Sequence, residues 1–214
     1  MKTGDLITAL SNEATRKPLR SPLHYATRLV LVVIVYGIAM VAFSGLRPDL
    51  PAPFLRPLFT AEVGLLLILA LSSLTAAVHS MYPDAYQRPS LLRLPFIVLA
   101  AFALFMVAQL FMPIDPRMVI PDASKVNGME CTLSIAGFSI LPSLIIFALL
   151  RKGSSVKPLY AGAFATLAAA AAGCLMLRMI EPNDVISHLM LWHYLPTLAF
   201  AACGAAVANW LLRW

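Results

Sequence analysis

The chain is a succession of long apolar runs separated by short polar segments. The first run, Leu29–Leu46 (LVLVVIVYGIAMVAFSGL), carries no charge and stops at Arg47-Pro48-Asp49. The second, about Phe59–Val78, has Glu62 near its start and Ser72, Ser73 and Thr75 inside. The third is Leu94–Met112, whose strong polar group is Gln109. The fourth, Cys131–Leu150, contains Pro142, read here as an internal break, and ends at Arg151-Lys152. The fifth, Pro158–Leu177, is rich in alanine, and the sixth is Leu189–Leu212. A helix crossing ~30 Å of hydrocarbon needs ~20 residues, which each run supplies. The runs are continuous, without the period-two alternation of barrel strands, and backbone groups in lipid must be satisfied within the segment. The pattern predicts an all-α integral membrane protein, a bundle of six transmembrane helices over about 29–46, 59–78, 94–112, 131–150, 158–177 and 189–212. Ala161, Gly162, Ala163 and Ala168–Gly173 predict a close neighbour for the fifth helix.

Composition agrees with this reading. The chain is 60% hydrophobic and 12% charged, with a mean hydropathy of +0.83. Soluble domains carry about a quarter charged residues, so a soluble enzyme, a disordered tail and a disulfide-rich module are disfavoured. The net charge of +6 would suggest a nucleic-acid partner in a soluble protein. Here the basic residues sit at run ends, so orientation explains them and no direct nucleic-acid binding is expected. With the N-terminus in the cytoplasm, Lys2, Arg16, Lys17, Arg20, Arg28, Arg88, Arg93, Arg151, Lys152, Lys157 and Arg213 lie inside. Arg47, Arg56, Arg117, Lys125 and Arg178 lie outside, a bias of eleven to five. Both termini are then cytoplasmic. The first run begins too late and is too long for a signal peptide. The outer segment 113–130 holds three prolines and reads as an irregular loop.

Chemistry is sparse. No HExxH, GxSxG or phosphate-cradling glycine loop occurs, so neither enzymatic activity nor a cofactor is expected. Glu62 and Arg178 fall near outer ends, where side chains can snorkel to water. Trp192-His193-Tyr194 reads as an interfacial anchor. There are three cysteines and no CxxC. Cys174 and Cys203 read as small buried hydrophobes, whereas Cys131 opens the fourth span beside Glu130, where sensing and packing are both open. Glu181, Asp184, His188 and His193 fall on the same outer side. Thiolate and imidazole suit soft or borderline ions, making Cys131, Glu130, His188 and His193 candidate metal ligands. At the other extreme of the chain, residues 1–28 are polar and basic. Leu6, Ile7 and Leu10 share one face of a short helix that Thr3 can cap. Such a helix can lie on lipid, enter a partner's groove, or be a plain juxtamembrane tail.

Several pieces in order resemble a known family. They are Met1-Lys2-Thr3 with Asp5-Leu6-Ile7, Gly45-Leu46-Arg47-Pro48-Asp49-Leu50 after the first span, and Cys131 opening the fourth with Pro142 inside it. Trp192 to Tyr194 in the sixth span and the ending Leu211-Leu212-Arg213-Trp214 continue the match. Together they resemble NrsF, the negative regulator of sigma-F family of six-span bacterial inner-membrane anti-sigma factors with a short cytoplasmic N-terminus. The resemblance implies that the chain holds an extracytoplasmic-function sigma factor at the membrane and releases it under envelope, heavy-metal or oxidative stress. The inner loops are too short to dock a protein, so residues 1–28 are expected to bind the sigma factor, with Leu6, Ile7 and Leu10 as apolar anchors and Asp5, Arg16 and Lys17 as polar contacts. The resemblance also associates a cysteine at the fourth span and another between the fifth and sixth with the signal. The first is Cys131; the second position falls on or near Glu181, a departure from a simple two-thiol switch. Either Cys174 then substitutes from inside the bilayer or Cys131 acts with carboxylates and histidines, Cys131, Glu181 and His188 being the sensing candidates. A small transporter or channel is the alternative, and it would show polar residues at mid-membrane on several spans or interrupted helices in matching halves.

Overall fold

The computed structural model describes residues 3–5, 7–8, 19–112 and 128–212. Six helices in it are long and apolar enough to cross a membrane, the architecture of a multi-pass membrane protein. They are α1 (Pro22–Ser44), α2 (Pro57–Ser80), α3 (Pro89–Gln109), α4 (Gly128–Leu150), α5 (Pro158–Ile180) and α6 (Ile186–Leu211). No strand occurs among the described residues. Residues Thr3–Asp5, Ile7 and Thr8 are helical as well.

Local chemistry sets the helix ends. Pro22, Pro57, Pro89 and Pro158 each open a helix, where the missing N–H is not needed and the fixed φ suits the first turn. Helix α1 therefore starts at Pro22, ahead of its apolar run, with the Ser21 hydroxyl accepting the His24 N–H at 3.4 Å. It ends at Gly45, whose φ of +88° is a conformation L residues rarely adopt. The break expected at Pro142 is absent, and α4 runs through it unbroken. A proline removes one backbone bond, and here buried Ile135, Phe138 and Ser139 before it and Ile146 and Phe147 after it hold the helix in place.

Helix α5 is the centre of the bundle. It packs against α6, α2 and α4, while α3 leans on α2, and α1 touches α5 and α2 from outside. Buried residues make up 72% of the apolar window of α5 but 11% of that of α1. Its alanines and glycines permit this. A Cβ on Gly162 would stand 2.2 Å from the Ala208 Cβ, and one on Gly204 2.0 Å from the Thr166 Oγ1, so α5 and α6 meet backbone to backbone. An apolar groove of about 660 Å³ separates much of α1 from α2 and α5. Leu31, Val35, Ile38 and Phe43 of α1, Ile97 and Leu104 of α3, and Leu133, Ile140 and Leu144 of α4 face outward.

The two ends of the bundle differ. At one, Leu19 packs with Met81, Leu150, Ala161 and Leu212, and the Tyr82 hydroxyl donates to the Arg20 carbonyl. At the other, polar and charged side chains gather.

Candidate functional site

The polar end is built from the α1–α2 loop, the start of α2, the end of α5, the α5–α6 loop, and the first turns of α4 and α6. Asp184 lies at the centre of a charged network. The Arg47 guanidinium donates to both of its oxygens at 3.1 Å, Arg178 Nη2 donates at 2.9 Å, and Arg56 Nη1 at 3.1 Å. Arg47 also pairs with Asp49 at 2.6 Å. Arg178 Nε lies 2.7 Å from Glu62 Oε1, the oxygen that also accepts the Tyr194 hydroxyl, and Arg178 Nη2 donates to Glu62 Oε2 at 3.4 Å. The Phe59 ring supports both guanidiniums, 5.5 Å from Arg47 and 4.9 Å from Arg178. Three arginines face three carboxylates, so the network is neutral. Neutrality and full pairing are what allow such groups to be buried at all. Glu62 and Arg178 thus do not snorkel to water: they are 3% and 1% exposed and hold each other. Burial raises the Asp184 carboxyl, but Arg47 and Arg178 outweigh it and hold it below the usual carboxylate range. Arg47 likewise holds Asp49 low.

Beside this network lies a second group. One ligand-type atom each from Cys131, Glu181, His188 and His193 lies within 4.8 Å of the others. The Cys131 Sγ is 3.5 Å from His188 Nε2, which is 3.2 Å from Glu181 Oε1. His193 Nε2 is 3.1 Å from Glu181 Oε2. These are ion-pair distances, yet neither nitrogen of His193 nor either oxygen of Glu181 has a hydrogen-bond partner. His193 is fully buried. Burial raises the Glu181 carboxyl, and its contacts with His193, Cys131 and His188 lower it further than burial raises it.

A local irregularity brings the two histidines together. At 3.6 residues per turn, positions five apart on an α-helix point about 140° away from each other. Residues Leu189–Tyr194 instead form a π-helical segment, whose wider turn places positions five apart on one side. The His188 and His193 ring centroids are 5.4 Å apart. Pro196 explains the widening, because its ring crowds the carbonyl four residues back and offers it no N–H. That carbonyl, on Trp192, accepts from Thr132 Oγ1 at 2.7 Å, and the His193 carbonyl accepts from Thr197 Oγ1 at 2.8 Å. The Trp192 ring lies against Gly128, where any side chain would collide with it. The Trp192-His193-Tyr194 stretch therefore faces inward in part, with His193 buried and Tyr194 on Glu62, in place of the interfacial anchor expected.

Of the residues singled out from sequence, Cys131, Glu181, His188 and His193 are brought together. Glu130, expected among the ligands, is exposed and outside the group, since adjacent helical positions point about 100° apart. Asp184 belongs to the charged network. Asp5 and Ile7 lie on exposed helical residues, whereas Leu6, Leu10, Arg16 and Lys17 lie outside the described residues. Arg47 and Arg56 went unrecognised as partners. Two ionisable groups inside apolar runs were the available signal, since each needs a counter-charge.

Fold and site define a protein that is all-helical among the described residues, with six helices long and apolar enough to cross a membrane and a buried, paired polar end. The model of the family described as NrsF, negative regulator of sigma F, matches residues 10–214. The chain belongs to this family. It is 28% identical over 221 residues to the probable anti-sigma-F factor NrsF of Azospira oryzae, with 100% of both chains covered. No solved structure matches it.

Proposed function

We propose that the chain is a membrane anti-sigma factor, without enzymatic activity or a cofactor. It sequesters an extracytoplasmic-function sigma factor at the cytoplasmic face of the bacterial inner membrane and releases it on envelope, heavy-metal or oxidative stress. The observation that carries this reading is membership of the negative-regulator family over residues 10–214. The name of the Azospira oryzae relative points the same way. Outward aliphatic and aromatic side chains on α1, α3 and α4 form far more apolar surface than a soluble monomer exposes, and a bilayer covers it. The eleven-to-five distribution of basic residues orients both termini to the cytoplasm.

In this reading residues 1–28 hold the sigma factor. Leu6, Ile7 and Leu10 enter an apolar groove on it, and Asp5, Arg16 and Lys17 make polar contacts at the rim. The partner is kept from the transcription machinery by occupation of its surface, so no direct contact with nucleic acid is needed. Cys131, Glu181 and His188, at the polar end, receive the signal. A small transporter or channel would need polar groups at mid-depth on several helices; the paired charges among the described residues instead gather at one end of the bundle.

Co-purification from detergent extract tests the reading. Full-length protein is expected to bring down a small sigma factor, and protein lacking residues 1–18, which precede α1 and its cap, to elute as a monodisperse species without it. Changing Leu6, Ile7 and Leu10 together to Ser removes three aliphatic anchors worth ~1.5–3 kcal/mol each when buried, enough to free the partner. Full repression by this triple variant at normal abundance would overturn the assignment of the binding segment.

A further inference from the structure

We propose that Cys131, Glu181, His188 and His193 form a four-coordinate site for one borderline divalent cation of the zinc and cadmium class. The inference deepens the sensing role proposed above by naming what the polar end binds, and in that respect it rests on that reading.

Three observations point to a metal. The first is spacing. Tetrahedral zinc with bonds of about 2.3 Å to sulfur and about 2.0–2.2 Å to nitrogen and oxygen places neighbouring ligand atoms roughly 3.3–3.6 Å apart. Here the sulfur–nitrogen separation is 3.5 Å, and the nitrogen–oxygen separations, one to each Glu181 oxygen, are 3.2 and 3.1 Å. One ligand atom from each of the four residues lies within 4.8 Å of the others, so modest shifts admit an ion. The second is lack of other partners. Both ring nitrogens of fully buried His193 and both oxygens of Glu181 have no hydrogen-bond partner, although buried polar groups nearly always do. An ion at the centre takes one lone pair from each residue, giving a partner to one His193 nitrogen and one Glu181 oxygen. The third is charge. A thiolate and a carboxylate balance a divalent cation, and two neutral imidazoles complete the set, giving a neutral complex suited to a buried place.

The donor set selects the ion. One sulfur, two imidazoles and one carboxylate suit zinc, cadmium or cobalt, whereas magnesium and calcium require six or more oxygens. Binding displaces the thiol proton from Cys131 to solvent, with no change of oxidation state. The ligands come from three places: the first turn of α4, the residue ending α5, and the π-helical start of α6. A bound ion therefore ties α4 and α6 to the α5–α6 loop. The same loop carries Asp184, which holds Arg47 just beyond α1. Helix α1 is in turn the element that joins the polar end to residues 19–21 at the opposite end.

The test uses purified full-length protein in detergent, stripped with a chelator and titrated with Co²⁺ as a spectroscopic probe. One Co²⁺ per chain is expected, with a thiolate-to-cobalt charge-transfer band and the intense visible bands of tetrahedral cobalt. Zn²⁺ and Cd²⁺ displace it, and Mg²⁺ in large excess does not. Cys131→Ser abolishes the charge-transfer band. His193→Gln lowers the affinity at least tenfold, while Glu130→Gln, outside the group, binds as the parent does. Size-exclusion profiles and melting in the absence of metal establish that the variants are folded. Should a variant fail to fold, the parent still decides the matter, since Zn²⁺ must raise its melting temperature in a concentration-dependent way. Absence of a charge-transfer band in the parent, or unchanged binding by folded Cys131→Ser and His193→Gln, overturns the site. No sigma factor is present in these measurements, so their failure is distinguishable from failure of the anti-sigma reading, which the co-purification tests separately.

Discussion

Asp184 is the residue on which three arginines converge. Arg47, Arg56 and Arg178 all lie within 3.1 Å of it. The sign of its pH dependence follows from its depressed carboxyl. A folded value below the unfolded one, about 3.9 for Asp, contributes stability that is fully present above the unfolded value and lost as pH falls through the folded one. Asp49 and Glu181 are depressed as well and act in the same direction. These carboxylates are thus expected to make the melting temperature of detergent-solubilised protein fall steeply below about pH 4. At pH 7 Asp184→Asn leaves three guanidiniums facing only the Asp49 and Glu62 carboxylates, an uncompensated charge in a largely buried network that costs about 3–5 kcal/mol. Melting of this variant at the parental temperature would show that the network does not hold the loops together. Glu62 and Arg178 were legible as intramembrane charges from the apolar runs around them. Their pairing was not, because 116 positions separate them in the chain and only the packing of α2 on α5 makes them neighbours.

At the scale of elements, two prolines had opposite outcomes. Pro142 leaves α4 continuous, whereas Pro196 follows a π-helical widening that turns His188 and His193 to one side. At Pro196 the freed Trp192 carbonyl is received by Thr132 on a neighbouring helix. No local pattern announces such a donor from another helix. The small residues of α5 were a plainer signal, since a helix of alanine and glycine amid leucine-rich neighbours offers its backbone for close approach. Gly162 tests this. Leucine there collides with Ala208 and the Gly204 carbonyl, and backbone cannot give way as a side-chain tip can. Gly162→Leu is expected to lose at least about 1–3 kcal/mol and to lower the melting temperature. Gly64→Leu, with open space around its Cβ position, keeps the parental value or raises it, because leucine is the better helix former. Equal stability of the two variants would contradict the backbone contact between α5 and α6.

For the whole molecule, orientation is the property on which the proposed division of tasks between the two ends depends. Six helices and the eleven-to-five bias of basic residues predict that residue 120 is outside and residue 155 inside. Fusions after residue 120 are expected to be active only as periplasmic reporters, and fusions after 155 only as cytoplasmic ones. An inverted pattern at both positions would place residues 1–28 away from any sigma factor. The long separation has a further consequence: an event at the polar end reaches the other end only through helices, and α1 is both the least buried and the one bound to Asp184 by the arginine that follows it.

What the amino-acid sequence determined by itself was the number, type and approximate extent of the helices. That information is local: an apolar run of sufficient length has one low-energy backbone state in hydrocarbon, whatever its neighbours do. Cys131, Glu181, His188 and His193 could each be proposed from residue type and side of the membrane. Their meeting, the exclusion of Glu130, and the choice of Asp184 for the arginines instead were decided by the tertiary structure. Those outcomes depend on helix rotation about its axis, where one position changes direction by about 100°, and on contacts between segments far apart in the chain. Apolar runs that are hydrophobic on all sides carry almost no information about that rotation, because every face is acceptable to lipid. Small residues along α5, a proline on α6 and a few buried charges fix it.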